Sequence, residues 1–306
     1  MDQPRSQPGF SSPMELGLLL GEVFDPATPE GRRVELMGLI LPHLAQKLTD
    51  ETLRLLLDLL APAAASSGST LPHRLVIEHL PLREEATNEV SIWPLVAVIL
   101  AELDIPVRMI SARPDHPLLE RLIVDEGISL APLENRLPEV LRPLWRRPEL
   151  TGMRTLALLA HPPGERLRLV GVGSSEWAPL IAQAAQGGGE KVYVISGREG
   201  RDYASAASPS RGMFVMGELI FSLEVEPERL GVADHRFEEL SPADQWAALE
   251  RLLAGDETSP LVRPLALNAA LALELAGRVA SFAEGIDLAL KLIIQGRLRR
   301  WFSPNG

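Results

Sequence analysis

Hydrophobic and polar positions alternate in two textures along this chain. From residue 14 to residue 60, apolar side chains recur at three- and four-residue spacing. The stretches VELMGLILPHLAQKL and LTDETLRLLLDLLAP predict amphipathic helices there. Thr49 is placed to cap the second of them, and Pro42 predicts a kink or break in the first. APAAASSGSTLP, residues 61–72, reads as a linker, and the main domain boundary is expected there. After it, short apolar runs alternate with longer helical ones. LVIEHL (75–80), PVRMIS (106–111), ISLAPL (128–133), TLALLA (155–160), RLRLVGVG (166–173), KVYVIS (191–196) and MFVMGEL (213–219) predict strands. WPLVAVILAELD, HPLLERLIVDEG and EWAPLIAQAAQGGG predict helices between them, and residues 261–302 are helical throughout. Alternation of this kind implies an α/β class, with a mostly parallel sheet flanked by helices behind a small all-helical N-terminal domain. No internal repeat or heptad run is present.

Composition narrows the chemistry. The chain has 306 residues, is 46% hydrophobic and contains no cysteine, so disulfides, thiolate nucleophiles and cysteine-bound zinc are excluded. The polar, proline-rich start MDQPRSQPGFSSP predicts a flexible arm over residues 1–13 and no secretory signal. Apolar runs such as LVAVILAEL are too short to span a bilayer, so a cytoplasmic protein without a membrane partner is expected. A net charge of −11 argues against extended contact with nucleic acid. Nearly all the positive charge is arginine; the only lysines are Lys47, Lys191 and Lys291, an Ala-, Leu- and Pro-rich bias typical of GC-rich bacterial genomes.

Several local motifs then carry candidate chemistry. VGVGSSEWAPL (170–180) is a strand, a turn and a helix start; Ser174 or Ser175 caps the helix, whose N-terminus is either an anion site or a plain turn. QGGGEK (186–191) ends a helix and receives no function. The six histidines show no metal-ligand spacing, and neither a G-x-S-x-G elbow nor a G-x-x-x-x-G-K-[ST] loop occurs. Arg136, Arg142, Arg146, Arg147, Arg154, Arg166 and Arg168 form the one basic segment of an acidic chain, either an anion site or a solvated helix face. RLRRWF (297–302) adds three arginines and an aromatic that reads as exposed. Finally, ISGREGRDYAS (195–205) delivers a strand into a glycine loop ending at Asp202. One carboxylate there suits half of a magnesium–diphosphate site, but Tyr203 stands next to it.

That last loop resembles the H-G-x-x-G-x-D-E-x-S motif of the anthranilate phosphoribosyltransferase and pyrimidine nucleoside phosphorylase family, with Gly197, Gly200, Asp202 and Ser205 in place. LALNAALALELAGRVASFAEGIDLALKLIIQGRLRRWF is similar to the family's C-terminal signature at Asn268, Ala269, Ala270, Gly277, Ser281, Glu284, Gly285, Ala289 and Gly296. MRTLALLAHPPGERLRLVGV is similar to a third family segment at Arg154, Thr155, Pro162, Gly171 and Val172. The resemblance spans residues 14–302. It implies a helical domain that dimerises and an α/β domain that holds phosphoribosyl diphosphate and magnesium, with a cleft between the two. The expected domains are residues 14–68, joined by helices from 134–150, and residues 69–306.

The catalytic motifs depart from the family. In place of G-T-G-G-D-G and N-x-S-T the chain reads IEHLPLREEATNEVSIWP, with no glycine between Gly68 and Gly127. Glycines let backbone N–H groups wrap a diphosphate. K-H-G-N-R becomes MISAR, keeping Arg113 alone, and Tyr203 replaces the second magnesium carboxylate. A compensating carboxylate from Glu84 or Glu85 is the one alternative. These departures imply a member without catalytic residues and without a cofactor. Its candidate ligand contacts are Ser91, Arg113, Arg147, Arg154, Ser174, Asp202 and Ser205, with Asp202 the remnant of the metal site. It is expected to be a homodimer and to bind a small anion, a protein partner or, weakly, nucleic acid at Arg136, Arg142, Arg146, Arg147, Arg166 and Arg168. The family includes a nucleic-acid-binding branch. The alternative is a pentosyl or phosphoribosyl transferase with another donor or acceptor, using magnesium.

Overall fold

The computed structural model describes residues 13–47, 53–60, 75–80, 89–124, 127–147, 150, 152–160, 167–186, 191–197 and 200–302. The predictions on Thr49, the 61–72 linker, Glu84, Glu85, Arg166 and the 187–189 glycines lie outside these residues. Two compact units divide the chain, Met1–Gly68 with Glu134–Pro163, and Ser69–Leu133 with Gly164–Gly306.

The first unit is helical. It contains α1 (Pro13–Phe24), α2 (Glu30–Lys47), α3 (53–60) and α6 (Gly152–Leu159). Its core is aliphatic, with Leu20, Val23, Met37, Ile40 and Leu56 fully buried. Helix α2 runs through Pro42 without ending, contrary to the predicted break. TLALLA is likewise not a strand. It forms most of α6, because Leu, Met and Ala are strong helix formers and a run buried on every side has no period to betray its type.

The second unit is built on a seven-stranded sheet of order β3-β2-β1-β4-β5-β6-β7. The strands are β1 (Leu75–Leu80), β2 (Val107–Ser111), β3 (Ile128–Pro132), β4 (Leu167–Val172), β5 (Lys191–Ser196), β6 (Ser210–Met216) and β7 (Leu219–Val225). The first five are parallel, and β6 and β7 are antiparallel. MFVMGEL thus holds a whole hairpin turn rather than one strand. Met216 pairs with Leu219, and Gly217 takes the positive φ of 60° that a two-residue turn requires. Helices α4 (Trp93–Ala101), α5 (Pro117–Arg121), α7 (Ala178–Ala185), α8 (Pro242–Leu253), α9 (Val262–Leu275) and α10 (Phe282–Ile294) complete the unit. Every residue of α4 is buried, so it is the centre of the core, joined there by Ile77, Met109, Leu169 and Ile195 from the sheet and by the apolar residues of α9.

Helix α5 stops after five residues, short of the predicted span. Leu122 leaves the helix to form a bridge with Phe302, and the Ile123 N–H donates to the Trp301 carbonyl at 2.8 Å. The RLRRWF tail is therefore fastened down. Trp301 and Phe302 are buried, correcting the reading of an exposed aromatic, and Arg297 pairs with the Glu102 carboxylate at 3.0 Å. Arg300 reaches the other oxygen of Glu102.

His116 caps α5. Its Nδ1 accepts from the Leu118 N–H at 3.2 Å, and its Nε2 lies 2.8 Å from the Glu89 carbonyl. Burial lowers its pKa from 6.5 to about 4. The unfolded chain takes up the proton first, so stability is full above pH 6.5 and declines as pH falls toward 4. We expect the loss to be at most about 3 kcal/mol. His116→Asn, which retains a capping oxygen, should flatten that slope in denaturant titrations run across this window; an unchanged slope would discount His116 as the cause.

Candidate functional site

Strands β2 and β3 lie to one side of β1, and β4 to β7 lie to the other, so the strand order reverses between β1 and β4. In open α/β sheets, ligands bind in the crevice outside the carboxyl ends at such a point. Here those ends present His79 on β1, Ser111 on β2, Gly171 on β4 and Ser196 on β5. His79 is paired with Ser111 on one side and Gly171 on the other.

Gly197 and residues 200–205 fold over these ends. The Gly197 N–H closes the loop by donating to the Arg201 carbonyl at 2.9 Å. The Trp93 indole N–H donates to the Asp202 carbonyl at 3.1 Å. Gly171 makes this close approach feasible, since a Cβ there would sit 2.0 Å from that same carbonyl oxygen. Asn268 on α9 clamps the next residue. Its Oδ1 accepts from the Ala204 N–H at 2.9 Å, and its Nδ2 donates to the carbonyls of Ala204 at 2.8 Å and Pro264 at 2.9 Å. Asn268→Ala strands two buried backbone groups, so we expect a loss of about 1–3 kcal/mol in thermal or denaturant unfolding. A neutral result would remove Asn268 as the loop's anchor.

Consecutive side chains of the loop point to different partners. Asp202 is turned to His79, with Oδ2 3.4 Å from Nδ1, and both residues are buried. Tyr203, also buried, accepts a hydrogen bond from Arg201 at 2.6 Å, and the guanidinium lies over its ring. Glu89 stands 3.6 Å from the same guanidinium. Burial raises the Tyr203 pKa, keeping the phenol neutral. The Arg201 pKa is raised as well; burial opposes the charge, but Tyr203, Glu89 and Glu238 outweigh it.

The other candidate residues divide between the units. Ser205 is fully buried and committed internally: it donates to Glu238 and accepts from the N–H groups of Ala207 and Ser208. In this structure it braces the loop. Ser174 caps the short 3-10 turn after β4, accepting from the Glu176 N–H at 3.4 Å. Ser91 and Arg113 are half-buried, and the Arg113 N–H donates to Ser111 Oγ at 2.9 Å.

Arg147 and Arg154 belong to the helical unit, where Arg147 pairs with Glu30 at 2.6 Å and Arg154 lies over the Trp145 ring. The basic segment expected along residues 136–168 is divided between buried and exposed side chains. Arg136 and Arg168 are each only 1% exposed, and Arg142 donates to the carbonyls of Leu137 and Asn135. Arg168 and Arg142 serve protein acceptors, and the exposed cations among the described residues of the segment are Arg142 and Arg147. The Arg146 side chain lies outside the described set.

Residues 131–298, more than half of the chain, match the family model described as glycosyl transferase family, a/b domain. The chain belongs to this glycosyl transferase family. The anthranilate phosphoribosyltransferase of Methylocella silvestris is 36% identical over 48% of this chain and 44% of its own length. That of Rhodospirillum rubrum is 32% identical over 60% of this chain and 54% of its own. The chain thus spans about half the length of these two relatives. The Rhodopseudomonas palustris enzyme is 27% identical over 95% of this chain and 88% of its own length. The solved anthranilate phosphoribosyltransferase of Thermus thermophilus superposes with a TM-score of 0.69 at 22% identity, covering 96% of this chain and 95% of that one. The Saccharomyces cerevisiae enzyme in complex with PRPP and Mg gives 0.67 at 18%, covering 96% and 92%. At these identities the structural likeness establishes the fold.

Among the described residues, this family member does not fit magnesium. That ion takes hard oxygen ligands in octahedral array. Here the loop offers one carboxylate facing an imidazole, and beside it a neutral phenol bonded to a guanidinium. His79 and Arg201 escaped sequence reasoning because their partners lie far along the chain or were sought as carboxylates. The one local signal was a histidine at the end of LVIEHL, just before the stretch where the family's glycines are expected.

Proposed function

We infer that this glycosyl transferase family member binds a small polar or anionic ligand in the crevice at the carboxyl ends of β1 and β4 without transferring phosphoribosyl from PRPP to anthranilate. The observation that carries this reading is the divergence of the neighbouring side chains Asp202 and Tyr203. Asp202 faces His79, while Tyr203 is buried against Arg201, so the place next to Asp202 holds a neutral phenol under a cation. The glycine-free stretch between Gly68 and Gly127 supports it from sequence. The nucleic-acid reading has fewer open cations to draw on, since Arg136 and Arg168 are buried and Arg297 and Arg300 pair with Glu102.

A second reading, a glycosyl transferase with an altered donor or acceptor, draws on Asp202, Gly171 and Asn268, which keep the loop seated at the crevice. Homodimerisation through the helical unit remains part of the proposal, supported by Met14, Leu18 and Leu39, which are 77%, 69% and 43% exposed. As far as the described residues go, no helix is long and apolar enough to cross a membrane. The test is a turnover assay with magnesium, PRPP and anthranilate. Product above background from the wild-type protein overturns the non-catalytic reading.

A further inference from the structure

We propose that β7 is an interface strand, pairing antiparallel with β7 of a second copy of this chain. It is the last strand of the sheet, so only one of its sides carries a neighbouring strand. The register with β6 fixes which groups face outward. Met216 and Leu219 close a two-residue turn and exchange hydrogen bonds, as do Phe214 with Phe221 and Gly212 with Leu223. The N–H and C=O groups of Ile220, Ser222 and Glu224 therefore point to the free side. Edge strands are normally blunted by a bulge, a proline or a lysine. LIFSLEV has none of these, and it pairs with β6 without a break. Apolar surface is concentrated at the same edge. Met216, Leu219 and Phe221 share one face of the hairpin and are 42%, 55% and 44% exposed. They border an aromatic row that runs from Phe282 through Tyr193 and Phe214 to Phe221, with ring centroids 6.4, 4.8 and 6.0 Å apart. Grouped apolar side chains beside unpaired backbone mark a surface that takes up another strand.

The strand is complementary to itself, which selects a second copy as the occupant. A two-fold axis at Ser222, the midpoint of Leu219–Val225, sets Ser222 opposite its twin and Ile220 opposite Glu224 of the second copy. Every outward-facing residue of the strand is then paired, each pair exchanging two backbone hydrogen bonds. An axis at Phe221 or Leu223 would leave one of them facing residues outside the strand. On the apolar face Phe221 meets Leu223, and Leu219 meets Val225, of the second copy. Like charges directly opposite one another destabilise such a pairing. Glu224 is the only charge in the strand, and its neighbours here are Ile220 of the second copy and its own cross-strand residue Arg211. Glu226, just past the strand, is already paired with Arg229 at 2.7 Å. The surface belongs to the α/β unit alone, so it is independent of the ligand inferred above and of a homodimer through the helical unit.

The chain has no cysteine, so Ser222→Cys supplies a single thiol. Pairing centred there sets the two Cα atoms about 5.5 Å apart, within the reach of a disulfide. Mild oxidation should link most of the Ser222→Cys protein into dimers, whereas His235→Cys, at another exposed position, should stay unlinked. Adding Leu18→Glu, on the exposed face of the helical unit, should leave the Ser222→Cys link intact. Sedimentation equilibrium in that Leu18→Glu background then reads the edge alone. Ser222→Lys sets two lysines directly opposite and should weaken association at least about twofold. Ile220→Lys meets Glu224 of the second copy and should tighten it by a similar factor. Circular dichroism checks each fold; if the half-buried Ile220 does not tolerate lysine, the cysteine variants and Ser222→Lys decide. The proposal is overturned if the Leu18→Glu protein is monomeric across the concentration series, if both cysteine variants link equally, if Leu18→Glu abolishes the link, if Ser222→Lys associates unchanged, or if folded Ile220→Lys weakens association as Ser222→Lys does. None of these results bears on turnover, so failure here leaves the non-catalytic reading standing.

Discussion

Wild-type protein given magnesium, PRPP and anthranilate is expected to form no phosphoribosylanthranilate, and Tyr203→Glu is expected to form none either. The leaving diphosphate carries most of the charge that such a transfer must stabilise, and donors aimed at developing charge are worth about 10²–10³ in rate each. Two supports for that charge are missing here, backbone N–H donors and a magnesium-holding carboxylate. The residues after β1 contain no glycine to present backbone N–H groups, and the carboxylate beside Asp202 is a phenol. A glutamate at position 203 would meet Arg201, which already lies 3.6 Å from Glu89 and hydrogen-bonds to the residue it replaces. The new carboxylate would form an ion pair there instead of joining a magnesium site. Discontinuous assay of product by fluorescence checks both proteins. Activity appearing only in Tyr203→Glu would show that a single carboxylate was the whole defect and that the glycine-free stretch is competent.

The second large effect is structural. Arg168 on β4 donates to both oxygens of Glu78 on β1, at 3.1 and 3.0 Å, and the two side chains are 1% and 0% exposed. Breaking a buried pair by removing one partner leaves a desolvated charge and typically costs about 3–5 kcal/mol. Arg168→Met should lower the unfolding free energy from denaturant titration by that amount. The double change Arg168→Met with Glu78→Leu should recover most of the loss, because an apolar pair of similar volume avoids the desolvation penalty altogether. If the double variant is as unstable as the single one, the pair is not the source of the effect.

Much of the fold was legible because it rests on local periodicity. The six-residue runs at 75–80 and 191–196 are central strands, and WPLVAVILA is a helix buried on every side. TLALLA is apolar at every position after Thr155, and such a run is compatible with a buried strand or a buried helix until its neighbours are known. α5 was overextended because the residue that ends it, Leu122, does so by pairing with Phe302 near the other end of the unit. The candidate site was half legible. Asp202 and its glycines form a contiguous motif, whereas its facing group, His79, comes from a different strand and matches no spacing rule. Arginine content misled in the same way: charge is visible in a sequence, but Glu78 beside Arg168 and Glu30 beside Arg147 are visible only after folding.

The interleaving of the two units has a consequence for biosynthesis. The helical unit takes its last segment from Glu134–Pro163, so every segment of it has been made once residue 163 leaves the ribosome. By then β1, β2 and β3 have been synthesised, but β1 still lacks β4, its partner on one side. The fully buried α4 likewise waits for α9, and Glu102 at its end waits for Arg297 and Arg300. Nascent chains halted just after residue 163, before β4, therefore hold every segment of the helical unit but only three of the seven strands, the species on which a holding chaperone would act.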